Sequence, residues 1–173
     1  MLKRSITLLL VLIISCASKA QNVPQYAVVI DEIMVDPTPV TGLPDAEWIE
    51  LKNTSGVDLN LSGWRIGKPS GQSGAMPSYL LKADSTVIVC TASALAALSP
   101  FAPVISVTSF PSLGNAGDLV YLKSPQGNII HGVSYSDAWY KNELKRSGGW
   151  SLEMIDKKKV MMFSRSSVES ILK

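Results

Sequence analysis

The sequence predicts an all-β sandwich of about seven to nine strands with one short helix, and three observations carry that expectation. Residues 47–53 alternate, with Glu47, Ile49 and Leu51 on one face and Trp48, Glu50 and Lys52 on the other, which is the period of a half-buried strand. Residues 26–34, Y-A-V-V-I-D-E-I-M, are rich in β-branched side chains and run into Asp36-Pro37-Thr38-Pro39, where proline cannot donate to a ladder. Residues 119–122 and 129–135 alternate on either side of Ser124-Pro125-Gln126-Gly127-Asn128, the pattern of a hairpin.

The first twenty residues stand apart from that fold. Lys3 and Arg4 precede an apolar run at residues 6–14, and small residues follow; this is the build of a secretory signal peptide, too short for a secure membrane span. Two processing routes stay open. Ser18-Lys19-Ala20 before Gln21 offers a general signal peptidase its small residues, whereas Ile13-Ile14-Ser15-Cys16 resembles a lipobox whose cysteine would be lipidated. Either route exports the chain, to the medium, the periplasm or the outer surface, and it meets a membrane only if Cys16 is lipidated.

The remaining elements follow in order. Asn53-Thr54-Ser55-Gly56 supplies a turn, and residues 57–61 resume the alternation until Ser62-Gly63 breaks it before Trp64. Residues 68–78, rich in Gly, Ser and Pro, are expected as an exposed loop. Leu80-Leu81 reads as a short strand and residues 86–90 as a central one. Residues 91–98 have high helix propensity, a Thr or Ser cap, and Ser99-Pro100 to end them, so one helix should bridge the two sheets. Residues 104–108 and the alternating run 148–155 complete the strands. The expected core is Val29, Ile30, Ile33, Ile49, Leu51, Leu61, Trp64, Val87, Val89, Leu119, Leu122, Val133 and Leu152.

Several of these stretches also resemble one known family. E-W-I-E-L-K-N followed by D-L-N-L-S-G-W at residues 47–64, V-I-D-E-I-M-V-D-P at residues 29–37, and G-D-L-V-Y-L with its glycine turn from residue 117 are similar to the signature of the lamin tail domain, as found in many secreted bacterial proteins. The resemblance runs over residues 26–156 and implies an immunoglobulin-like sandwich; it implies little about chemistry, since fold does not fix function. Where that family carries an Asp in the returning strand, this chain has His131. From Lys157 the resemblance stops. The family goes on to a polar segment with a tryptophan and a Gly-Thr-Pro-Gly turn, whereas residues 157–173 form a basic tail that we read as truncated or out-of-frame sequence.

Composition narrows the function classes. Residues 26–156 hold 13 acidic and 8 basic side chains, a net −5, while residues 157–173 carry +4; an acidic body argues against nucleic-acid binding, which needs clustered Lys and Arg. Beyond Cys16 the one other cysteine, Cys90, ends an apolar strand and reads as a buried, inert thiol. His131, the one histidine, has neither a nucleophile motif nor further nitrogen or sulfur ligands near it, and reads as a satisfied surface or edge residue. Trp139 and Tyr140 read as a plug for one open end of the sandwich, with stacking on sugars or bases as the alternative.

The chemically unusual stretch is residues 31–50, where Asp31, Glu32, Asp36, Asp45, Glu47 and Glu50 occur with no Lys or Arg. Hard oxygen ligands suit calcium, although no spaced D-x-D-x-D-G loop is present; solvated turn and strand positions are the competing reading. The function expected from the residues is a non-catalytic, exported module binding a protein or a cell-surface component. A calcium-dependent binding or adhesion domain is the first alternative, and a metal-dependent hydrolase using the same carboxylates the second.

Overall fold

The alternation at residues 48–53 becomes the middle of a five-stranded sheet. The computed structural model describes residues 23–155; the leader with Cys16 and the basic tail lie outside them. Among the described residues the strands are β1 (Val28–Met34), β2 (Trp48–Asn53), β3 (Leu59–Asn60), β4 (Arg65–Lys68), β5 (Gly71–Gln72), β6 (Leu80–Leu81), β7 (Thr86–Cys90), β8 (Val104–Ser106), β9 (Gly117–Lys123), β10 (Ile129–Ser136) and β11 (Leu152–Glu153). One sheet has the order β11-β1-β2-β7-β8, a second the order β10-β9-β4-β5, and β3 pairs with β6 alone. Seven strands have three residues or more, which is the expected number; four two-residue strands come in addition.

The two larger sheets pack face to face. Ile30 and Ile33 of β1, Ile49 and Leu51 of β2 and Val87 and Val89 of β7 share one buried cluster with Trp64, Leu122 and Ile130, and Val133 and Leu152 pack at its margin. Asn53 is fully buried at the end of β2, where its Nδ2 donates to the carbonyls of Val57 (2.7 Å) and Leu81 (2.9 Å) and its Oδ1 accepts from Ser55 N (3.0 Å). That side chain satisfies the turn expected at residues 53–56 and ties it to β6, as a buried polar group must be satisfied.

Trp48 does point to the face opposite Ile49, yet it is 3% exposed. Met34, Trp48, Ile88 and Cys90 form a second cluster on the outer face of the five-stranded sheet, closed by Ala94 and Leu98. The covering element is α1 (Leu95–Leu98). It departs from expectation in three ways: it begins at Leu95 rather than at residue 91, its N-cap Ala94 makes no side-chain capping bond, and it joins β7 to β8 within one sheet instead of bridging two. β7 and β8 run parallel, and a parallel pair requires a crossover of this kind.

Residues 68–78 are only partly an exposed loop. β5 folds back on β4, and Ser73 and Met76 are buried, because the Ser73 hydroxyl accepts from Ile66 N at 3.0 Å and Met76 N reaches Trp64 O at 2.8 Å. A second helix, α2 (Glu143–Arg146), and a 3-10 turn at Asp137–Tyr140 also appear beyond the single helix expected.

Each lateral edge of the sandwich is closed differently. On one side β1 lies along β10: Tyr26 N donates to Ile130 O at 2.9 Å, and Ile30 N donates to Nδ1 of His131 at 2.9 Å. On the other side Gly74 N donates to Thr108 O at 2.7 Å.

Candidate functional site

The six carboxylates of residues 31–50 are distributed by strand geometry and do not converge. Antiparallel pairing sets Glu32 of β1 between Glu50 of β2 and Glu153 of β11, a row of like charges across three strands. Burial, with repulsion from Glu153 and Asp31, pushes the Glu32 carboxyl up, although the Ser151 hydroxyl donates to it. Burial raises Glu50 as well, with Glu32 and Asp31 adding to the rise. Asp31 is the extra residue of a β-bulge between Ile30 and Glu32, and its carbonyl accepts from Met154 N at 2.8 Å.

The other three lie toward the loop end. Glu47 accepts from Leu113 N at 3.1 Å, and burial pushes its carboxyl up. Asp36 is half-buried beside Thr38, and Asp45 is exposed. Among the described residues no three His, Cys, Asp or Glu side chains come together in a way that could hold a metal ion. Closeness in sequence misled here: the two β1–β2 partners face the outer surface of the sheet, while the loop carboxylates and Glu47 sit beyond its end.

His131 is an edge-strand residue as expected, and it is not a surface one. It is 6% exposed, it accepts the Ile30 amide through Nδ1, and Tyr26 packs edge-on to its ring with centroids 6.0 Å apart. An accepting Nδ1 puts the proton of the neutral ring on Nε2. Burial lowers its pKa to about 4. Cys90 is wholly buried and its thiol is pushed up to about 11 by burial, in keeping with an inert strand cysteine.

What sequence reasoning missed is the segment between β10 and β11. Trp139 is 54% exposed, so it does not plug the sandwich; Leu144 is 82% and Trp150 42% exposed. Their frame is nonetheless fixed. The Asn142 side chain caps α2, accepting from Leu144 N (2.9 Å) and Lys145 N (3.4 Å), and Tyr140 Oη donates to Trp150 O at 2.5 Å. Gly148 and Gly149 lie so close to the 38–41 segment that a Cβ on either would stand 1.9 Å from Thr38 O or 2.1 Å from Pro39 O. Gly149 N donates to Asp36 O at 2.7 Å, and the Thr41 hydroxyl donates to Gly149 O.

Around these apolar side chains the charges are arranged locally. Arg146 pairs with Glu143 at 3.2 Å and Asp137 at 3.8 Å, and Lys145 Nζ stands 4.4 Å over the Trp150 ring. Such a contact contributes roughly 0.5–1 kcal/mol at an exposed site. The sequence did carry a signal for α2: Asn142 as a cap, Glu143 in the first turn and Lys145-Arg146 in the last. Trp139, Leu144 and Trp150 are thus three large apolar side chains left exposed within one twelve-residue segment.

No helix of the described residues is long and apolar enough to cross a membrane. A search of curated proteins returns no match. The model of the Lamin Tail Domain family matches residues 22–137, more than half of the chain. That family is immunoglobulin-like and generally non-enzymatic, in accord with the two packed sheets and the motifs at residues 29–37, 47–64 and 117–122. The chain belongs to the Lamin Tail Domain family.

Proposed function

We propose that this chain is an exported, non-catalytic sandwich that binds a partner protein through the surface formed by Trp139, Leu144 and Trp150. The observation that carries the reading is their exposure, 54%, 82% and 42%, on a frame that capping and glycine packing hold still. Tryptophan anchors of this kind dominate binding energy when a partner desolvates them, and a fixed frame reduces the ordering cost of association. The non-catalytic part is supported by the family and by His131, whose Nδ1 is engaged by the Ile30 amide and whose ring is buried away from any substrate. Export is supported by the leader sequence at residues 1–20.

A photo-crosslinking side chain placed at position 144 in cells making the full chain tests this. The expected result is a covalent adduct to a discrete protein, absent when the same group replaces Lys82, which is exposed beside the Asp84–Asn53 contact at the other end of β2. Equal labelling from both positions, or none from position 144, sinks the proposal.

A further inference from the structure

Three charged side chains point into one end of the sandwich. Lys68 ends β4 and Asp118 is the second residue of β9, its antiparallel neighbour. Strand residues two apart share a face. Ile66 and Val120 belong to the buried core between the sheets, so Lys68, two after Ile66, and Asp118, two before Val120, also turn inward. Lys68 Nζ contacts Asp118 Oδ2, with only 18% and 17% of the two side chains exposed. Both groups are held in place: Nζ also donates to Ser112 O at 2.7 Å, and Asp118 Oδ1 accepts from Leu119 N at 2.8 Å.

The opposite sheet contributes the third. Glu47 stands two residues before Ile49 of the same core, and it accepts from Leu113 N, the neighbour of the Ser112 carbonyl that Lys68 holds. Burial pushes the Glu47 carboxyl up, while the Leu113 amide and Lys68 oppose the rise. Tyr135, the register partner of Asp118 on β10, senses both carboxylates: its hydroxyl is pushed up first by burial, then by Asp118, and further by Glu47. Two carboxylates around one ammonium in a poorly hydrated place favour retention of a proton. No disulfide fixes this end, since the one cysteine among the described residues is Cys90, a free thiol in the other sheet.

We propose that Lys68 and Asp118 condense into an intramolecular isopeptide bond, with Glu47 relaying the proton. A proton first passes within the pair, giving a neutral amine and a neutral carboxylic acid, the forms that burial favours. Nζ then attacks Cγ of Asp118. The Nζ–Cγ bond forms and the Cγ–OH bond breaks. Glu47 takes a proton from the attacking nitrogen and returns one to the departing hydroxyl, directly or through one water, so that one water molecule leaves and no electrons are exchanged. Two paired strands hold the reacting groups in contact, which supplies the proximity that the condensation needs. The product is a neutral amide clasp between β4 and β9, and it removes two poorly hydrated charges from the end of the sandwich. The reaction occurs once per chain and acts on no other molecule, so it is independent of the proposed binding surface.

Mass spectrometry of the denatured full chain tests this, beside two variants. Lys68→Arg keeps the charge but offers no nucleophilic amine, and Glu47→Gln keeps an acceptor for Leu113 N but relays no proton. Lys68→Arg passes through the same processing, so after correction for the substitution the parent is expected to be lighter by one water. Its digest should hold one branched peptide joining the segments that carry Lys68 and Asp118, and Glu47→Gln should retain the unreacted mass. The branched peptide in the parent decides the bond even if a variant fails to fold. A parent of unreacted mass, with both side chains free in the digest, overturns the proposal and leaves an ion pair only. Complete bond formation in Glu47→Gln overturns the relay.

Discussion

The amide of Ile30 donates to Nδ1 of His131 at 2.9 Å, across 101 residues of sequence and between two different sheets. The bond lies where a bulge interrupts each strand, between Ile30 and Glu32 on β1 and between Ile129 and His131 on β10. A bulge frees one amide from its ladder, and here a side chain from the facing sheet accepts it.

His131 therefore sets an acid limit on stability. Its pKa is lowered to about 4 from 6.5 by burial, so between those values the unfolded chain binds more protons than the folded one. Stability from this group is present above pH 6.5 and is lost as pH falls toward 4, at up to about 1.4 kcal/mol per pH unit. Urea unfolding of His131→Leu should show about 1–3 kcal/mol less stability at pH 7, from the unpaired Ile30 amide, and a flatter profile from pH 6.5 to 4. An unchanged slope in the variant would remove His131 from the account.

Glu32 works in the opposite sense. Its folded-state pKa is raised, chiefly by burial and further by Glu153 and Asp31, so the folded chain holds its proton more tightly, and this group favours folding more as pH falls through that raised value. Glu32→Gln keeps an acceptor for Ser151 and removes one charge from the Glu50–Glu32–Glu153 row. It should raise stability by roughly 0.2–1 kcal/mol at pH 7 and bring no gain near pH 4. Melting temperatures of the two chains at both pH values check this.

Calcium should leave the fold indifferent. With no three of the described acidic, histidine or cysteine side chains converging, thermal melts in excess calcium and in chelator are expected to superimpose within about 1 °C, because only an ion that binds the native state shifts the transition. A rise of several degrees, abolished by Asp36→Asn with Asp45→Asn, would restore the carboxylates as a calcium site.

Gly148 and Gly127 provide a controlled comparison. Both have positive φ, +102° and +86°, but a Cβ at Gly148 would meet Thr38 O at 1.9 Å, whereas one at Gly127 meets nothing within 4 Å. Gly127→Ala should cost about 1–2 kcal/mol, the strain of a left-handed residue. Gly148→Ala should cost more and should also change Trp150 fluorescence, because the turn must leave the 38–41 segment. Equal costs would mean that this contact does not hold the frame.

Legibility in the sequence followed the range of the interactions. Residues 47–53, the 124–128 turn and the Asn53 turn were readable because alternation and turn chemistry are local. Trp48 looked solvent-facing because what buries it, α1 with Ala94 and Leu98, arrives more than forty residues later. His131 read as a surface or edge residue, and its burial was not legible because the amide it accepts belongs to another sheet. The carboxylates looked like one cluster because their separation by strand faces and loop positions is a property of pairing and not of spacing. Asn142, Glu143, Lys145 and Arg146 were a readable helix signal, whereas the packing of Gly148 and Gly149 depends on a loop a hundred residues away.

The frame at that end rests on backbone and capping groups: the Gly148–Gly149 turn against residues 38–41, the Asn142 cap and the Tyr140 bond to Trp150 O. None of these uses the side chains of Trp139, Leu144 or Trp150. Trp139 and Leu144 are consequently free of that duty, and Trp150 keeps only its contact with Lys145, so substitutions at these positions should have a small effect on stability. If the proposed surface does bind a partner, selection could alter its preference quickly while the scaffold stayed unchanged.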